Sequence, residues 1–350
     1  MSNTVFSMTL LAALALFSAT PANAVPVAAP SYHVLQKVTL GGEGAWDYLS
    51  VDANARRIYI SRSSHVMVVD ADTYKVVGDI PNTNGVHGIA VAPTLGRGFT
   101  SNGRDNSVTI FDLKTLKTLG TVAVGTGPDA ILYEPKTQRV FTFNGRSNDA
   151  TALDARTGKV LGTLALGGRP EFAAADGSGM VYDNIEDKSE VVAIDARTLT
   201  LKNRWSLAPA ESPSGLDIDA KNHTLFSTCD GGKMAISDVR TGKLFGTSVI
   251  GNGPDAAGFD PGTGLAFSSN GQDGSLSILR SSTTPGGDVS FIAYPTVQTV
   301  PTEKGARTMA VDTKTHRVLL VTATPDAANP GGGRRRNYVP GSFTLLVVGR

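Results

Sequence analysis

Seven polar side chains recur at nearly even intervals along the chain and could form one charged site. They lie in glycine- or proline-rich phrases, and this inner ring consists of Asp47, His87, Asp129, Glu171, Ser214, Asp255 and Arg307. Carboxylate oxygens bind hard cations such as Ca²⁺, and crowded carboxyls raise one another's pKa. The inner ring therefore predicts a funnel for a cation or a polyhydroxylated ligand, or a group of acids prepared for proton transfer.

A second polar set follows the inner ring fifteen positions later in every repeat except the fourth, where the interval is two residues shorter. This outer ring consists of Arg62, Asn102, Asn144, Asn184, Cys229, Asn270 and Thr322. We expect it to lie on the same face as the inner ring and to widen the funnel. The alternative is structural, because asparagine suits left-handed turns and its side chain can hold a turn in place.

A complete catalytic set is harder to assemble from these residues. Glu171, Asp129 and Asn144 match the residue types of a calcium-lactonase-like site, although any ring of carboxylates permits such a choice. Cys229 is the single cysteine, which excludes a multi-cysteine metal site and a Cys-x-x-Cys-His haem attachment. We expect a buried or turn cysteine rather than a nucleophile beside His87, because their repeats are far apart on the ring.

The elements that position both rings belong to a repeat of about forty residues. Hydrophobic runs end in Asp70, Asp112, Asp154, Asp195 and Asp238, at intervals of 42, 42, 41 and 43 residues. Each of these aspartates should fix the turn after it by accepting from N–H groups two or three residues on. Seven units fit the chain, each with four short apolar or alternating runs that are typical of strands.

Sheets that are apolar on both faces must pack against copies of themselves. The repeat therefore predicts an all-β, seven-bladed β-propeller of four-stranded blades, forming one domain over residues 32–350. Residues 343–348 (FTLLVV) take the place of a third strand, and residues 32–40 (YHVLQKVTL) that of a fourth. Pairing of the N-terminal strand with the C-terminal blade would close the ring and leave no open sheet edge.

The tetrads such as Tyr-Ile-Ser-Arg and Phe-Thr-Ser-Asn, the Asp-x-x-Thr turns and the Val-Gly-Thr-Gly-Pro-Asp-Ala phrase resemble the YVTN-repeat, YncE-like β-propellers. The resemblance covers essentially the whole chain after residue 31. It implies a periplasmic protein of a family whose members often lack an assigned activity. Related propellers include binding modules, lactonases, quinone- or haem-linked enzymes and surface-layer proteins, so the fold alone does not choose a function.

The first 24 residues are typical of a secretory signal peptide cleaved after Ala24. Residues 9–17 (TLLAALALF) form an apolar run too short to span a membrane, and residues 22–24 (Ala-Asn-Ala) supply the small residues of a cleavage site. Residues 25–31 read as a spacer. We expect a periplasmic or secreted protein with no membrane span after cleavage.

The formal net charge of +1 excludes nucleic-acid binding by bulk charge alone. The turns opposite the funnel are nevertheless rich in cations and could contact a polyanion, or they could simply be solvated. These cations include Arg56, Arg57, Lys136, Arg139, Arg156, Lys159, Arg240, Lys243, Lys314 and Arg317. Insertions at 281–290 and 323–342 lengthen two turns, and the second carries three consecutive arginines, 334–336, on the funnel side.

We therefore expect a monomeric ligand- or partner-binding scaffold, with a small ligand or a protein at the funnel and no assigned catalysis. The alternative is a metal-assisted hydrolase or lactonase-like enzyme that uses the funnel carboxylates with Ca²⁺ or another divalent cation. A third interpretation is an accessory propeller in quinone- or metal-linked redox metabolism.

Overall fold

Short antiparallel strands joined by tight turns build the protein. The computed structural model describes residue 1 and residues 31–282, 293–328 and 337–350. Within these ranges the only helical segments are two single 3₁₀ turns, Pro93–Leu95 and Glu186–Lys188. The all-β class predicted from the sequence is confirmed.

Each blade is a four-stranded antiparallel sheet, and in blades 1 to 6 the four strands, a to d, follow one another in the chain. Blades 1 to 4 contain β2 (Leu49–Asp52), β3 (Arg57–Ser61), β4 (Val66–Asp70) and β5 (Val76–Ile80); β6 (Val86–Ala92), β7 (Arg97–Asn102), β8 (Ser107–Asp112) and β9 (Thr118–Ala123); β10 (Pro128–Glu134), β11 (Arg139–Asn144), β12 (Asp149–Asp154) and β13 (Val160–Ala165); and β14 (Pro170–Ala175), β15 (Met180–Ile185), β16 (Glu190–Asp195) and β17 (Thr200–Ser206). Blades 5 to 7 contain β18 (Glu211–Asp219), β19 (Thr224–Asp230), β20 (Lys233–Asp238) and β21 (Leu244–Val249); β22 (Pro254–Asp260), β23 (Leu265–Asn270), β24 (Ser275–Arg280) and β25 (Thr296–Pro301); and β26 (Met309–Asp312), β27 (Arg317–Thr322), β28 (Thr344–Gly349) and β1 (His33–Thr39).

The first strands of the seven blades form the wall of the central channel. Each first strand contacts the first strand of the next blade, and β26 returns to contact β2. The blades therefore form a closed ring, and the predicted seven-bladed propeller is confirmed.

The two ends of the chain complete blade 7 together. β1 pairs antiparallel with β28, with Val38 opposite Leu345 and Val34 opposite Val348. This pairing gives β28 a neighbour on each side, because β27 lies on its other edge. The predicted closure by the N-terminal strand is confirmed, and blade 7 has the four strands that the other blades have.

The hydrophobic core lies between blades. Ile58 and Val69 of blade 1 pack with Leu319 and Leu345 of blade 7 in one buried cluster. The other six clusters each join two neighbouring blades in the same way. Because the second and third strands carry apolar residues on both faces, each blade buries its surface only when both neighbours are present.

The aspartate that ends the third strand in each of blades 1 to 5 fixes the turn after it, as predicted. Asp112 accepts from the N–H groups of Lys114 and Thr115 at 3.0 and 2.7 Å, and from the Thr115 hydroxyl at 2.8 Å. Asp70, Asp154, Asp195 and Asp238 accept equivalent backbone bonds. These turns project from the end of the ring opposite the funnel.

Several features of the sequence lie outside the described residues. They are the predicted signal peptide after residue 1, the spacer up to residue 30, most of the insertion at 281–290, and the three arginines at 334–336. No helix in the described ranges is long and apolar enough to cross a membrane.

Candidate functional site

The starts of the first strands bring the inner ring together at one end of the channel. His87 Nδ1 lies 2.6 Å from an Asp47 carboxylate oxygen and 3.5 Å from an Asp129 oxygen. Beyond Asp47, the Arg307 guanidinium lies 3.2 Å from the other carboxylate oxygen and also pairs with Asp255. A chain of alternating charges therefore runs through blades 3, 2, 1, 7 and 6.

Burial and pairing give these groups unequal proton affinities. Burial disfavours a charged Asp47, but the hydrogen bond from His87 and the charge of Arg307 outweigh it and lower the Asp47 pKa. Burial also disfavours a charged His87, yet Asp47 and Asp129 raise the His87 pKa to about 9. Burial raises the pKa of Asp129 to about 6, against the opposing charge of His87. At neutral pH, His87 is therefore a cation between two carboxylates.

Glu171 is the inner-ring acid without a counter-ion. Its carboxyl forms no hydrogen bond or ion pair with the described part of the chain. Burial, followed by the negative charges of Asp129 and Glu186, raises the pKa of Glu171 to about 9. Glu171 is therefore protonated at neutral pH, and its O–H is available as a hydrogen-bond donor.

A second unpartnered acid, Asp183, lies within the electrostatic reach of Glu171. Asp183 is fully buried, and neither of its carboxyl oxygens has a hydrogen-bond partner among the described residues. Burial holds the pKa of Asp183 well above its usual range. Thr100 and Thr142 occupy this strand position in blades 2 and 3. The acid that breaks this threonine pattern was the signal available in the sequence.

Two aromatic rings from opposite sides of the channel meet beside the inner ring. Tyr48 of blade 1 and Phe172 of blade 4 have centroids 4.8 Å apart and planes at 83°, a favourable edge-to-face contact. The Tyr48 hydroxyl also forms a hydrogen bond with Asp129, which opposes the effect of burial on the Asp129 pKa. The two rings therefore link blade 1 to blade 4 across the channel.

A cavity of about 550 Å³ opens at this end of the ring. It is lined by residues of blades 1 to 4 and by residues 45–47, which lie just before the first strand of blade 1. Its charged lining residues are Asp47, His87, Asp129, Glu171, Arg104, Arg146 and Arg169. Arg104 and Arg146 belong to two Asn-Gly-Arg turns at 102–104 and 144–146. That repeated tripeptide is the signal in the sequence that identifies the two arginines. The funnel thus has a cationic rim as well as an acidic interior.

The outer-ring asparagines lie inside the blades, which corrects the expectation that they widen the funnel. Asn102, Asn144 and Asn270 are almost completely buried. Each donates to polar side chains of the third strand, as Asn102 does to Ser107 at 3.2 Å and Thr109 at 2.9 Å. Their role is therefore structural, because they connect the second strand of a blade to its third strand. Cys229 and Thr322 are buried in the same way.

Arg62 is also buried rather than part of the funnel surface. Its guanidinium donates to the carbonyls of Gly41 at 3.0 Å and Gly44 at 2.9 Å, and it lies 3.7 Å from the centroid of the Phe343 ring. Burial lowers the pKa of Arg62 to about 10. The contacts fasten the segment before β2 to blade 7, so Arg62 has a structural role.

Asn184 departs from the outer ring for a reason of register. Pro170 pairs with Ile185, whereas the equivalent prolines of blades 3 and 6 pair with an asparagine. The interval in blade 4 is therefore one residue shorter than in the other blades, and Ile185 takes the asparagine position. Asn184 points to the other face of the sheet, where it donates to two carbonyls at the start of blade 5, at 2.8 and 3.1 Å.

The lactonase-like set and a cysteine nucleophile are not assembled. The Asn144 amide is buried and donates to the Asp149 carboxylate at 2.7 Å, so it does not join Glu171 in the funnel. Cys229 is buried, its thiol donates to a carbonyl of its own strand at 3.4 Å, and burial raises the pKa of the thiol to about 12. A thiol with such a pKa carries almost no reactive thiolate.

Three side chains of the inner ring could hold a divalent cation. One ligand atom each from Asp47, His87 and Asp129 lies within 4.8 Å of the other two. An imidazole with two carboxylates suits Zn²⁺ or Mn²⁺ better than Ca²⁺, which prefers six to eight oxygen ligands. A metal would have to displace the His87 proton, so binding should strengthen as pH rises.

Several of the cations on the opposite face form contacts between blades. Arg56 of blade 1 forms bonds of 2.9 and 2.8 Å to the Asp312 carboxylate of blade 7. Arg139 of blade 3 donates to two carbonyls of blade 4, and Arg317 donates to the Tyr74 hydroxyl at 2.8 Å. These contacts stabilise the ring, and polyanion binding on this face stays a prediction.

No protein-family model matches this chain, and no curated protein matches it. Solved structures are similar. They include Kuenenia stuttgartiensis hydrazine synthase (TM-score 0.69, 15% identity, covering 82% of this chain and 94% of that chain), the RRP9 WD40 repeats (0.70, 10%, 92% and 99%) and U3-55K (0.71, 10%, 91% and 99%). At these identities the similarity shows the fold alone, and membership of the YncE-like family stays a prediction. The chain is a seven-bladed β-propeller.

Proposed function

We propose that the chain is an exported, YncE-like β-propeller that binds a small polar ligand in its central funnel. The observation that carries the proposal is the cavity on blades 1 to 4, where the unpaired Glu171 carboxyl lines the same space as Arg104 and Arg146. A concave site with convergent polar groups and shifted pKa values is typical of ligand binding.

Binding suits these residues better than catalysis. The carboxylate of Asp47 is already held by His87 and Arg307. With its pKa raised to about 9, His87 carries a proton at neutral pH and cannot act as a general base there. The remaining groups can donate and accept hydrogen bonds, which is sufficient for recognition.

Native mass spectrometry of the protein purified from its own host tests this proposal. We expect a bound small molecule on the wild type and its loss from Glu171→Ala. A matched acid on the opposite end of the ring provides the control, so Asp112→Asn should retain the ligand. If the wild type carries no ligand, and no fraction of the host's small molecules raises its melting temperature, the proposal is wrong.

A metal-assisted hydrolase is the second candidate, because Asp47, His87 and Asp129 offer three ligand atoms close together. In that case Zn²⁺ or Mn²⁺ should raise the melting temperature more at pH 8 than at pH 6, and Asp129→Ala should abolish the effect. The metal-loaded protein should also hydrolyse esters or lactones. Absence of metal from the host-purified protein, together with no thermal response to any divalent cation, would exclude this candidate.

Export rests on the sequence of the first 24 residues. If the signal peptide is cleaved as proposed, the protein recovered from the periplasm or medium begins at Val25. Intact-mass measurement of the host protein tests this directly. A chain that keeps Met1 and stays inside the cell would contradict export, without affecting the proposal for the funnel.

A further inference from the structure

Two arginines at the rim of the funnel, Arg104 and Arg146, each pack against a glycine of the preceding segment, and we call this glycine the shelf. A Cβ atom built on Gly85 would lie 2.6 Å from the Arg104 Cγ, and one built on Gly127 would lie 2.8 Å from the Arg146 Cγ. Both glycines have positive φ values, 67° and 64°, which other residues rarely adopt. The aliphatic part of each arginine is therefore seated against bare backbone, and both arginines line the cavity.

The shelf itself does not require a positive charge. In blade 6, the Cγ of Gln272 lies 2.4 Å from a Cβ built on Gly253, the equivalent glycine, whose φ is 64°. Gln272 does not line the cavity. The same packing thus holds the neutral amide of Gln272 in blade 6, where the glycine does not line the cavity. In blades 2 and 3, where the glycine lines the cavity, it holds a guanidinium.

The two guanidiniums are free to bind a ligand. Neither Arg104 nor Arg146 forms a side-chain hydrogen bond or ion pair within the described ranges, whereas the third rim arginine, Arg169, pairs with Glu186. No acid that lines the cavity forms an ion pair with either guanidinium in the described part of the chain. Asp47 is paired with His87 and Arg307, Asp129 lies 3.5 Å from His87, and Glu171 carries a proton. The rim therefore presents two unpaired positive charges above a donor carboxyl.

We propose that Arg104 and Arg146 form a subsite for an oxyanion, either a carboxylate or a phosphate ester, on the ligand of the funnel. This inference rests on the proposed binding function and names the chemical class of its ligand. Guanidinium groups bind carboxylate and phosphate oxygens through charge-assisted, often bidentate hydrogen bonds. The Glu171 O–H is placed in the same cavity to donate to a further polar atom of that ligand.

Inorganic phosphate and succinate are the two probes, titrated by calorimetry and by melting temperature at constant ionic strength set with chloride. We compare the wild type with Arg104→Gln/Arg146→Gln, which copies the residue that blade 6 places on its own shelf. At least one probe should bind the wild type saturably, and the double variant should bind it at least tenfold more weakly. Phosphate alone would indicate a phosphate ester, and succinate alone a carboxylate.

Three controls keep the test decisive. The unliganded double variant should melt at the wild-type temperature, because the shelf packing is retained; each single Gln variant is available if it does not. Gln272→Arg adds a cation to the shelf outside the cavity and should not strengthen binding. Equal binding by the double variant, or binding of neither probe to the wild type, would overturn the subsite.

The outcome is separate from that of the proposed function. If native mass spectrometry finds a neutral or cationic ligand that Glu171→Ala loses, while both oxyanion probes fail, only the subsite falls. If neither ligand nor probe binds, both proposals fall.

Discussion

Acids on the turn side of the propeller receive hydrogen-bond donors from their own turn, whereas those in the funnel depend on other blades. The N–H and hydroxyl of Thr115 lower the pKa of Asp112. Asp312, at the end of a first strand, accepts in the same way from the N–H of Lys314, two residues further on, at 3.2 Å. In the funnel, burial raises the pKa of Asp129 to about 6 and that of Glu171 to about 9.

The difference has a local cause. A turn points N–H groups back at the acid two or three residues earlier, while the carboxyls of Asp129 and Glu171 accept from no backbone N–H group in the described part of the chain. The carboxylate oxygens of the turn acids are therefore occupied by hydrogen bonds that stabilise the fold. Some carboxyl oxygens of the funnel acids remain available to a ligand, which is the physical basis for assigning binding to that end of the ring. Asp183, buried on the second strand of blade 4, has no hydrogen-bond donor among the described residues.

The largest effect should come from the turn side. Asp312→Asn removes the charge that holds Arg56 between blades 7 and 1, where the two side chains are only 3% and 11% exposed. Because a buried cation loses its partner, we expect a loss of about 3 kcal/mol in the free energy of unfolding, measured with denaturant. Asp72→Asn removes the other partner of Arg56, which is 61% exposed, and should cost much less. Equal costs would break the comparison.

Asp183→Thr should instead increase the free energy of unfolding. An acid whose pKa rises on folding destabilises the fold above its unfolded pKa, and increasingly so as pH rises towards the folded pKa. We expect a gain of about 2 kcal/mol at pH 8 and little difference at pH 3.5, from denaturant unfolding at both pH values. Asp183→Asn, which removes the charge and keeps the shape, should recover part of the gain. A loss of stability at pH 8 would show that the acid has an unseen partner.

The stability of the protein should decrease at high pH, because His87 in the funnel loses its proton there. Its pKa rises from 6.5 to about 9 on folding, so its contribution is complete below pH 6.5 and is lost as pH rises through 9. The side chain is 37% exposed, and solvent screening limits the loss to about 1 kcal/mol. His87→Gln should flatten this decline, and His65→Gln, outside the funnel, should leave it unchanged. A decline of the same size in both variants would assign it to other groups.

The smallest effect should come from an exposed turn acid. Asp112→Ala removes the bonds to Lys114 and Thr115 and should lower the melting temperature slightly at pH 7. Because the Asp112 pKa is lowered on folding, its contribution is lost as pH falls through that pKa, and the stabilities of the two proteins should converge in acid. A difference that persists in acid would contradict the hydrogen-bonding explanation.

The sequence by itself determined the architecture. The spacing of Asp70, Asp112 and Asp154 set the length of a blade, and the unmatched strands at the two ends predicted the closure later seen between β1 and β28. These features are local or periodic, because a turn acid bonds within three residues and strand alternation repeats every two. The inner ring could be aligned for the same reason, since each member lies near or just before the start of a first strand.

Only the tertiary structure decided which polar residues face the funnel. A change of one residue in the turn of blade 4 moved Asn184 to the opposite face of its sheet, and the pattern of residue types does not register such a shift. The partners of His87 and Arg307 lie about forty or more residues away in sequence, on neighbouring blades. The free rim arginines and the isolated Asp183 were likewise defined by what surrounds them in space, which a repeat of residue types does not contain.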